Sequence, residues 1–145
     1  MQTHLVLTVI GADRPGLVHA VSDVIAAAGG NWLDSRMASL GGQFAGMLLV
    51  AVAPEKASGL IEALRALEAR GLSLVIATSD TSERPAGRTL KLDLIGLDRP
   101  GIVRDLSQVV AAHGVSITDF ESEQISGSFS GEAMFKARAR LTLPD

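Results

Sequence analysis

The chain has 145 residues, of which 47% are hydrophobic, 3% aromatic and none cysteine, and its formal net charge is −3. This length suits one or two small domains, and the absence of cysteine excludes disulfides, thiolate metal sites and a cysteine nucleophile. The negative charge disfavours direct binding to nucleic-acid phosphates. No apolar stretch reaches about 18 residues and the N-terminus lacks a basic start, so we predict neither a membrane span nor a signal peptide.

The first half of the chain predicts the order βαββαβ. Runs rich in Val, Leu and Ile predict strands, and Pro15 and Pro54 stand where first helical residues belong. The predicted strands are His4 to Ile10, Asn31 to Leu40, Phe44 to Ala53 and Leu72 to Thr78. Apolar residues at helical spacing predict a buried stripe on the first helix, formed by Leu17, Val18, Val21, Val24, Ile25 and Ala28. The second helix places Leu60, Ile61, Leu64 and Leu67 on one face and ends at Gly71.

The chain repeats itself at a shift of 85 residues. Between Ile10 and Asp34, 13 of 25 positions are identical to their partners between Ile95 and Asp119. A match of that length without gaps indicates two copies of one fold. We predict a first domain at residues 1–80, a polar linker at 81–88 and a second domain at 89–145.

The second copy is predicted to stop early. It offers a strand at Leu90 to Gly96, a helix at Pro100 to His113, and a hairpin of Ser116 to Ile125 with Glu132 to Leu143. No second helix or fourth strand follows, which leaves a gap over the sheet and an unpaired strand edge. Either the chain is truncated, or a partner or neighbouring chain covers the gap. The predicted fold class is α+β: two ferredoxin-like βαββαβ modules with antiparallel sheets, the second lacking its last helix and strand.

The two predicted sheets differ on the face away from the helices. Both faces of Met47 to Ala53 are apolar, so we expect the helix-free face to pack against another sheet or subunit, as in a homodimer. In the second copy, strand order 4-1-3-2 sets a basic row between acidic neighbours. That row is Lys136, Arg138 and Arg140, and the acidic neighbours are Asp93, Glu121 and Glu123. It is either a solvated charged face or a docking surface for an acidic partner.

An Asp-Arg-Pro-Gly turn joins the first strand to the first helix in both copies, at Asp13–Gly16 and Asp98–Gly101. The first helical turn leaves backbone N–H groups unbonded and its dipole favours an anion. Gly16 lets a ligand approach the backbone, and Asp13 can cap the helix or accept hydrogen bonds from an ammonium group. The turn could therefore hold both ends of an amino acid, or it could be a capped turn without any ligand.

These residues resemble an ACT domain, which carries such a turn followed by a Gly-Gly-Asn exit from the helix. The paired arrangement, with Leu33-Asp34-Ser35-Arg36 after the first helix, is similar to the glycine cleavage system transcriptional repressor family. The resemblance covers nearly the whole chain. It implies a cytoplasmic regulator of amino-acid metabolism, with glycine as the ligand, a transcriptional activator protein as the partner, and no direct contact with nucleic acid.

In ligand-binding ACT domains the amino acid lies between the first loop and the residue that opens the second strand, often at a dimer interface. The resemblance therefore implies a ligand site at Gly11, Ala12, Asp13, Arg14, Pro15, Gly16, Leu17 and Asn31. A second possible site comprises Gly96, Asp98, Arg99, Pro100, Gly101 and Ser116. Arg14 and Arg99 could contact a carboxylate or point to solvent. Asp34 and Asp119, which recur after the helix, could simply terminate local structure.

Enzyme signatures are absent from the sequence. His4, His19 and His113 are scattered without companions at metal-ligand spacing, and His113 suits a surface or capping role. The Gly127–Gly131 segment resembles a nucleophile elbow but carries Phe129 at its centre. We expect no enzyme activity, no metal and no cofactor. The alternatives are a ligand-free dimerisation or interaction module, and a regulatory fragment of an amino-acid or one-carbon enzyme, since formyltetrahydrofolate hydrolases and phosphoserine phosphatases carry similar turns.

Overall fold

The structure is a computed structural model that describes residues 2–79, 87–126 and 131–144. The chain divides into two compact units, residues 1–82 and 83–145. The first unit contains β1 (Thr3–Ala12), α1 (Leu17–Ala27), β2 (Asn31–Leu40), β3 (Gln43–Val52), α2 (Pro54–Arg65), a 3-10 turn (Ala66–Arg70) and β4 (Ser73–Thr78). The second contains β5 (Thr89–Leu97), α3 (Ile102–Ala112), β6 (Ser116–Ser126) and β7 (Ala133–Thr142). None of the helices described is long and apolar enough to cross a membrane.

The first sheet is antiparallel with the order β2-β3-β1-β4, which confirms the predicted strand order. At its centre, Leu7 of β1 lies opposite Leu48 of β3 and Ile76 of β4. Alternate residues of each strand point to the same face, so Leu7 and Leu48 share one face of the sheet. Both helices of the unit pack on that face, and their apolar side chains join those of the strands in one buried cluster.

The second sheet has the order β5-β7-β6, which is the first sheet without β4. Of the chain that the structure describes, this unit contains one helix, α3, and three strands, which are the elements predicted for the second copy within this sequence. Burial differs at equivalent positions of the two described sheets. Leu5 is 1% exposed beneath the helices of the first unit, whereas its counterpart Leu90 on β5 is 51% exposed. The buried core of the second unit consists of Phe135, Ala137 and Ala139, all on β7.

Two sequence predictions about the helix starts are wrong. Pro15 and Pro100 do not open their helices, because α1 begins at Leu17 and α3 at Ile102. The N-cap positions are Gly16 and Gly101, both in the left-handed conformation with φ of 90° and 83°. Left-handed backbone is favourable for glycine and strained for other residues. The glycine repeated in both turns therefore serves as the helix N-cap, and the proline before it does not occupy the first helical position.

Other corrections concern side-chain placement. Val18 is exposed and does not belong to the buried stripe of α1, whereas Leu17, Val21 and Ile25 are buried as predicted. Asp34 and Asp119 do not terminate structure, because they lie inside β2 and β6 directly after a β-bulge in each strand. A bulge inserts one residue and shifts the pairing, which period-two alternation in the sequence does not reveal.

The predicted register of the charged face in the second sheet is confirmed. Arg138 lies opposite both Asp93 and Glu121, and Lys136 lies opposite Glu123. The Arg138 Nε and Asp93 Oδ1 atoms are 3.5 Å apart, and both side chains are exposed. The side chains form a solvated ladder of cross-strand pairs, each contributing about 0.2–1 kcal/mol. A hollow of about 230 Å³ lies along it between β6 and β7.

On the helix-free face of the first sheet, the side chains of β3 are apolar, as the sequence indicated, and Asp34 and Arg36 of β2 lie beside them. Met47 is exposed, and Val6 and Leu49 are half-buried beside a shallow hollow of about 160 Å³. Whether another subunit covers this face stays a prediction, as do the domain bounds at 80 and 89. The predicted linker falls largely on residues 80–86, and the rejected nucleophile elbow on 127–130, both outside the described residues.

The difference in burial between two helical valines gives a direct test on stability. Val21 of α1 is 2% exposed and Val109 of α3 is 60% exposed. We expect Val21→Ala to lower the free energy of unfolding by about 2 kcal/mol, because it leaves a cavity in a packed core. The same substitution at Val109 should change it by less than about 0.5 kcal/mol. Chemical denaturation followed by circular dichroism measures both, and equal losses would contradict the packing described.

Candidate ligand-binding site

The loop between β1 and α1 ends in an open helix N-terminus. The first amide of the helix to find a helical acceptor is that of Ala20, whose N–H donates to the Gly16 carbonyl at 2.9 Å. The amides of Leu17, Val18 and His19 find no backbone acceptor in the described chain. Nothing lies within 4 Å of the point where a side chain at Gly16 would begin. The start of α1 therefore offers three free backbone N–H donors and the positive end of the helix dipole at an accessible position.

Asp13 fastens this loop to the tip of the β2–β3 hairpin. Its backbone N–H donates to the Gly42 carbonyl at 3.0 Å. Its Oδ2 atom accepts a hydrogen bond from the Ser39 hydroxyl at 2.8 Å. The sequence suggested Asp13 as a helix cap, and that prediction is wrong, because no side chain caps α1. The carboxylate instead joins the loop to a strand that lies 26 residues further along the chain.

The second module repeats this attachment with a different donor. The Asp98 N–H donates to the Ala133 carbonyl at 3.0 Å, and Gln124 Nε2 donates to Asp98 Oδ2 at 2.6 Å. Gln124 stands 85 residues after Ser39, the same shift that relates Asp98 to Asp13. Because the aspartate keeps the same partner position in both copies, its first role is to position the loop. Comparing the two copies for identical residues does not reveal this hydrogen bond, because its donor is Ser39 in the first copy and Gln124 in the second.

The two arginines of the repeated turn have different partners. Arg14 donates from Nη2 to the Arg70 carbonyl at 2.6 Å, at the end of the 3-10 turn. The second module has no counterpart of that turn among its described residues, and Arg99 instead lies 2.7 Å from Asp105. The hydrogen bond from Arg99 is the main cause that holds the pKa of Asp105 below its ordinary value. Both arginines remain exposed at the surface.

The N-terminus of α3 is more covered than that of α1. A Cβ atom built at Gly101 would lie 3.0 Å from Arg104 Nη2, so this guanidinium lies beside the helix start. The Ile102 N–H also donates to the Arg99 carbonyl at 3.3 Å, which removes one free donor. The position equivalent to Arg104 in the first module is His19, and that of Asp105 is Ala20. The two loops thus have similar backbones, but the N-terminus of α1 is more accessible than that of α3.

The structure brings together only part of the predicted site. Asp13, Arg14, Pro15, Gly16 and Leu17 form the loop and helix start, with Ala12 exposed beside them. Gly11 is buried, and a Cβ there would lie 2.8 Å from Leu72 Cδ2, so this glycine permits packing. Its counterpart Gly96 has open space, since the described part of the second sheet has no strand on that side of β5.

Asn31 lies at the other end of the sheet from this loop. It pairs with Ala51, which in turn lies opposite His4, whereas Asp13 is bonded to Gly42. Nine residues of strand separate the two rows, a distance of about 30 Å. Ser116 lies far from Asp98 for the same reason, since it pairs with Thr142. A single module therefore does not join the loop and the residue that opens the second strand.

No group of three or more His, Asp or Glu side chains in the described ranges could hold a metal ion. His113 Nδ1 lies 2.9 Å from the Val109 carbonyl at the end of α3, which confirms its expected surface position at a helix terminus. His4 lies in β1 and His19 in α1, in different elements of the first module. The described arrangement offers backbone donors, a carboxylate and guanidinium groups, which suit a small zwitterion.

The chain consists of two α-on-β modules that begin with the same strand–turn–helix segment, which defines a tandem arrangement of regulatory domains. Comparison with known families identifies the domain. The family model of the ACT domain matches residues 3–76 and 88–138. The chain belongs to the ACT domain family and carries two ACT modules, as the repeated turn predicted.

Among individual proteins, the chain is 32% identical over 126 residues to the glycine cleavage system transcriptional repressor of Escherichia coli (strain K12). The match covers 83% of this chain and 65% of that repressor, so the chain spans less than two thirds of its relative's length. A crystal structure of an unknown protein from Galdieria sulphuraria is 30% identical with a TM-score of 0.83, covering 99% of this chain and 84% of that one. A further crystal structure, provisionally described as a glycine cleavage system transcriptional repressor, has a TM-score of 0.72 at 22% identity, over 99% of this chain and 81% of that one, and shows the same fold.

The Arg99–Asp105 pair predicts a specific pH response. Because the folded pKa of Asp105 is lowered, the pair stabilises the second module fully above the pKa that this aspartate has when unfolded. That stabilisation is lost as the pH falls through the lower, folded pKa. We expect Arg99→Ala to raise the pKa of Asp105 towards its ordinary value, as measured by NMR titration of the carboxyl carbon. Arg14→Ala is the matched control and should leave it unchanged; a shift of equal size in both variants would argue against this pair.

Proposed function

We propose that this protein is a non-enzymatic, amino-acid-responsive regulator whose first module binds a small amino acid at the N-terminus of α1. One observation favours the first module over the second as the binding site. Nothing lies within 4 Å of the Cβ position at Gly16, whereas the Arg104 guanidinium lies beside Gly101. Glycine is the expected ligand, because the relatives at 32% identity are named for the glycine cleavage system and because a ligand without a side chain suits a shallow backbone site.

The proposed binding mode uses the groups that the loop leaves available. The ligand carboxylate would accept hydrogen bonds from the free amides of Leu17 and Val18, where the helix dipole favours negative charge. The ligand ammonium would donate to Asp13 Oδ1, since Oδ2 already accepts from Ser39. Arg14, held by the Arg70 carbonyl, would keep a positive charge near the carboxylate. Each contact is modest alone, so binding should be strongest for ligands that carry both charged ends.

We further propose that the protein acts on transcription through contact with another protein, a transcriptional activator, in the cytoplasm. Its relatives are transcriptional repressors by name, and the chain has a net charge of −3, which opposes direct binding to DNA phosphates. The charged ladder of the second sheet, with Arg138 at its centre, is exposed and offers a polar surface for such a partner.

A second candidate function is a module that binds no ligand and acts only by association. Its support is that the hydrogen bonds of Asp13 already explain the aspartate as a structural residue. In that case the repeated turn would serve only to hold loop and hairpin together. Thermal unfolding with a panel of amino acids separates the two, because a ligand that binds only the folded chain raises the melting temperature. No response to any amino acid would favour the association module.

The two glycines at the helix starts provide a matched pair of variants. Gly16→Ala and Gly101→Ala introduce the same methyl group at similar positive φ, with a similar strain of about 1 kcal/mol. We expect Gly16→Ala to weaken glycine binding at least about tenfold, because the methyl group blocks close approach to the backbone. Gly101→Ala should leave binding unchanged. Isothermal titration calorimetry measures both, and the reverse pattern would move the site to the second module.

Asn31 tests whether one copy of the chain forms the whole site. Since Asn31 lies at the opposite end of the first sheet from Asp13, we expect Asn31→Ala to leave glycine binding unchanged. Ser116→Ala is the corresponding control in the second module. Weaker binding by Asn31→Ala alone in the same titration would mean that a neighbouring copy supplies this amide to the site.

A further inference from the structure

The sheet of the first module has an exposed apolar patch on the face that carries no helix. Both helices pack on the face of Leu7 and Leu48, so alternate residues of each strand point the other way. Three large apolar side chains on that opposite face are exposed, Ile10 at 44%, Met47 at 54% and Val75 at 66%. They lie on the neighbouring strands β1, β3 and β4, so they belong to one patch and are not scattered.

The second module shows that the fold does not require an apolar surface at this place. Four positions of the helix-free face that are apolar in the first module are basic in the second. They are Val6 with Lys91, Ala45 with Lys136, Met47 with Arg138 and Leu49 with Arg140. The four basic side chains are exposed, so the same backbone supports a solvated face. The apolar patch of the first sheet is therefore specific to that module, and it suits a contact that removes it from water.

Two opposite charges border the patch on the edge strand β2. Asp34 lies opposite Leu49 and Arg36 lies opposite Met47, so the two charges occupy adjacent rows that run across the strands. Two such sheets can stack about 10 Å apart around a two-fold axis that runs across the strands, midway between these rows. Asp34 of each copy then faces Arg36 of the partner subunit, and the symmetry makes this pair twice.

The apolar residues fit the same axis. One row contains Val75, Thr8 and Met47, and the adjacent row contains Ala77, Val6 and Leu49. Each row would lie over the other row of the partner subunit, which sets Val75 over the small Ala77 of the partner subunit. Met47 would lie over Leu49 of the partner subunit, beside the hollow of about 160 Å³ that Val6 and Leu49 line. An unbranched methionine side chain adapts well to such a hollow.

We propose that a second copy of this chain covers the helix-free face of the first sheet, so that the two sheets form a sandwich. The interface is isologous, because each copy contributes the same rows about the two-fold axis. The charges select a second copy over an unrelated apolar partner, since the order of Asp34 and Arg36 along β2 is complementary to itself in reverse. This proposal concerns assembly and does not depend on the ligand site at α1.

Charge reversal on β2 tests the register of the two sheets. Sedimentation equilibrium measures the dissociation constant of the wild type and of Arg36→Asp, Asp34→Arg and the double variant Asp34→Arg/Arg36→Asp. Each single variant places like charges opposite each other twice, so we expect the dimer to weaken at least about tenfold. The double variant restores both pairs with exchanged positions and should recover the wild-type constant. A mixture of the two single variants should form heterodimers.

A second pair of variants tests the apolar patch itself. Val75 and Val109 are 66% and 60% exposed, so a lysine at either position should leave the fold intact, as circular dichroism will show. Val75→Lys buries a charge in the proposed interface and should weaken the dimer at least about tenfold. Val109→Lys makes the same change on α3 and should leave the dimer unchanged.

Three outcomes would overturn the proposal. The first is a wild type that sediments as a monomer at all concentrations. The second is a dimer that Val75→Lys and the single charge variants leave unchanged, which would mean that the copies associate through another surface. The third is a double charge variant that dissociates as readily as the single ones while keeping its secondary structure.

Discussion

The packing of helices on one face of a sheet is the constraint on which this structure depends. In the first module α1 and α2 together cover the face that carries Leu7, and the strand β4 closes the edge of β1. In the second module α3 covers the equivalent face alone, and apolar side chains such as Leu90 stay exposed. Burial of apolar side chains under helices is therefore what distinguishes the two described sheets.

The two modules also differ in the contacts of the loops that precede α1 and α3. The 3-10 turn of the first module supplies the carbonyl to which Arg14 donates a hydrogen bond. The described residues of the second module include no such turn, and Arg99 pairs with Asp105 of α3, next to Arg104. A duplicated backbone has thus acquired two electrostatic environments. The start of α1 has open space beside Gly16, whereas the Arg104 guanidinium lies beside Gly101 at the start of α3.

The candidate site was only partly predictable. The repeated Asp-Arg-Pro-Gly turn predicted the loop between the first strand and the first helix of both modules, because its residue types restrict the backbone locally. The partner of Asp13 was not visible, since Ser39 lies 26 residues away and its counterpart is Gln124. The resemblance grouped Asn31 with the loop, but strand register separates them by the length of the sheet. Proximity across a sheet depends on pairing, which local sequence does not encode.

Sequence alone determined the duplication, the order of elements along the chain and the α+β fold class. These follow from local signals, namely apolar periodicity, glycine and proline positions and an ungapped internal match. Tertiary structure decided where α1 begins, because Gly16 adopts the left-handed conformation at the N-cap and the helix starts at Leu17. It also decided which residues contact Asp13 and Arg14, because Ser39 and Arg70 lie far from them in the chain.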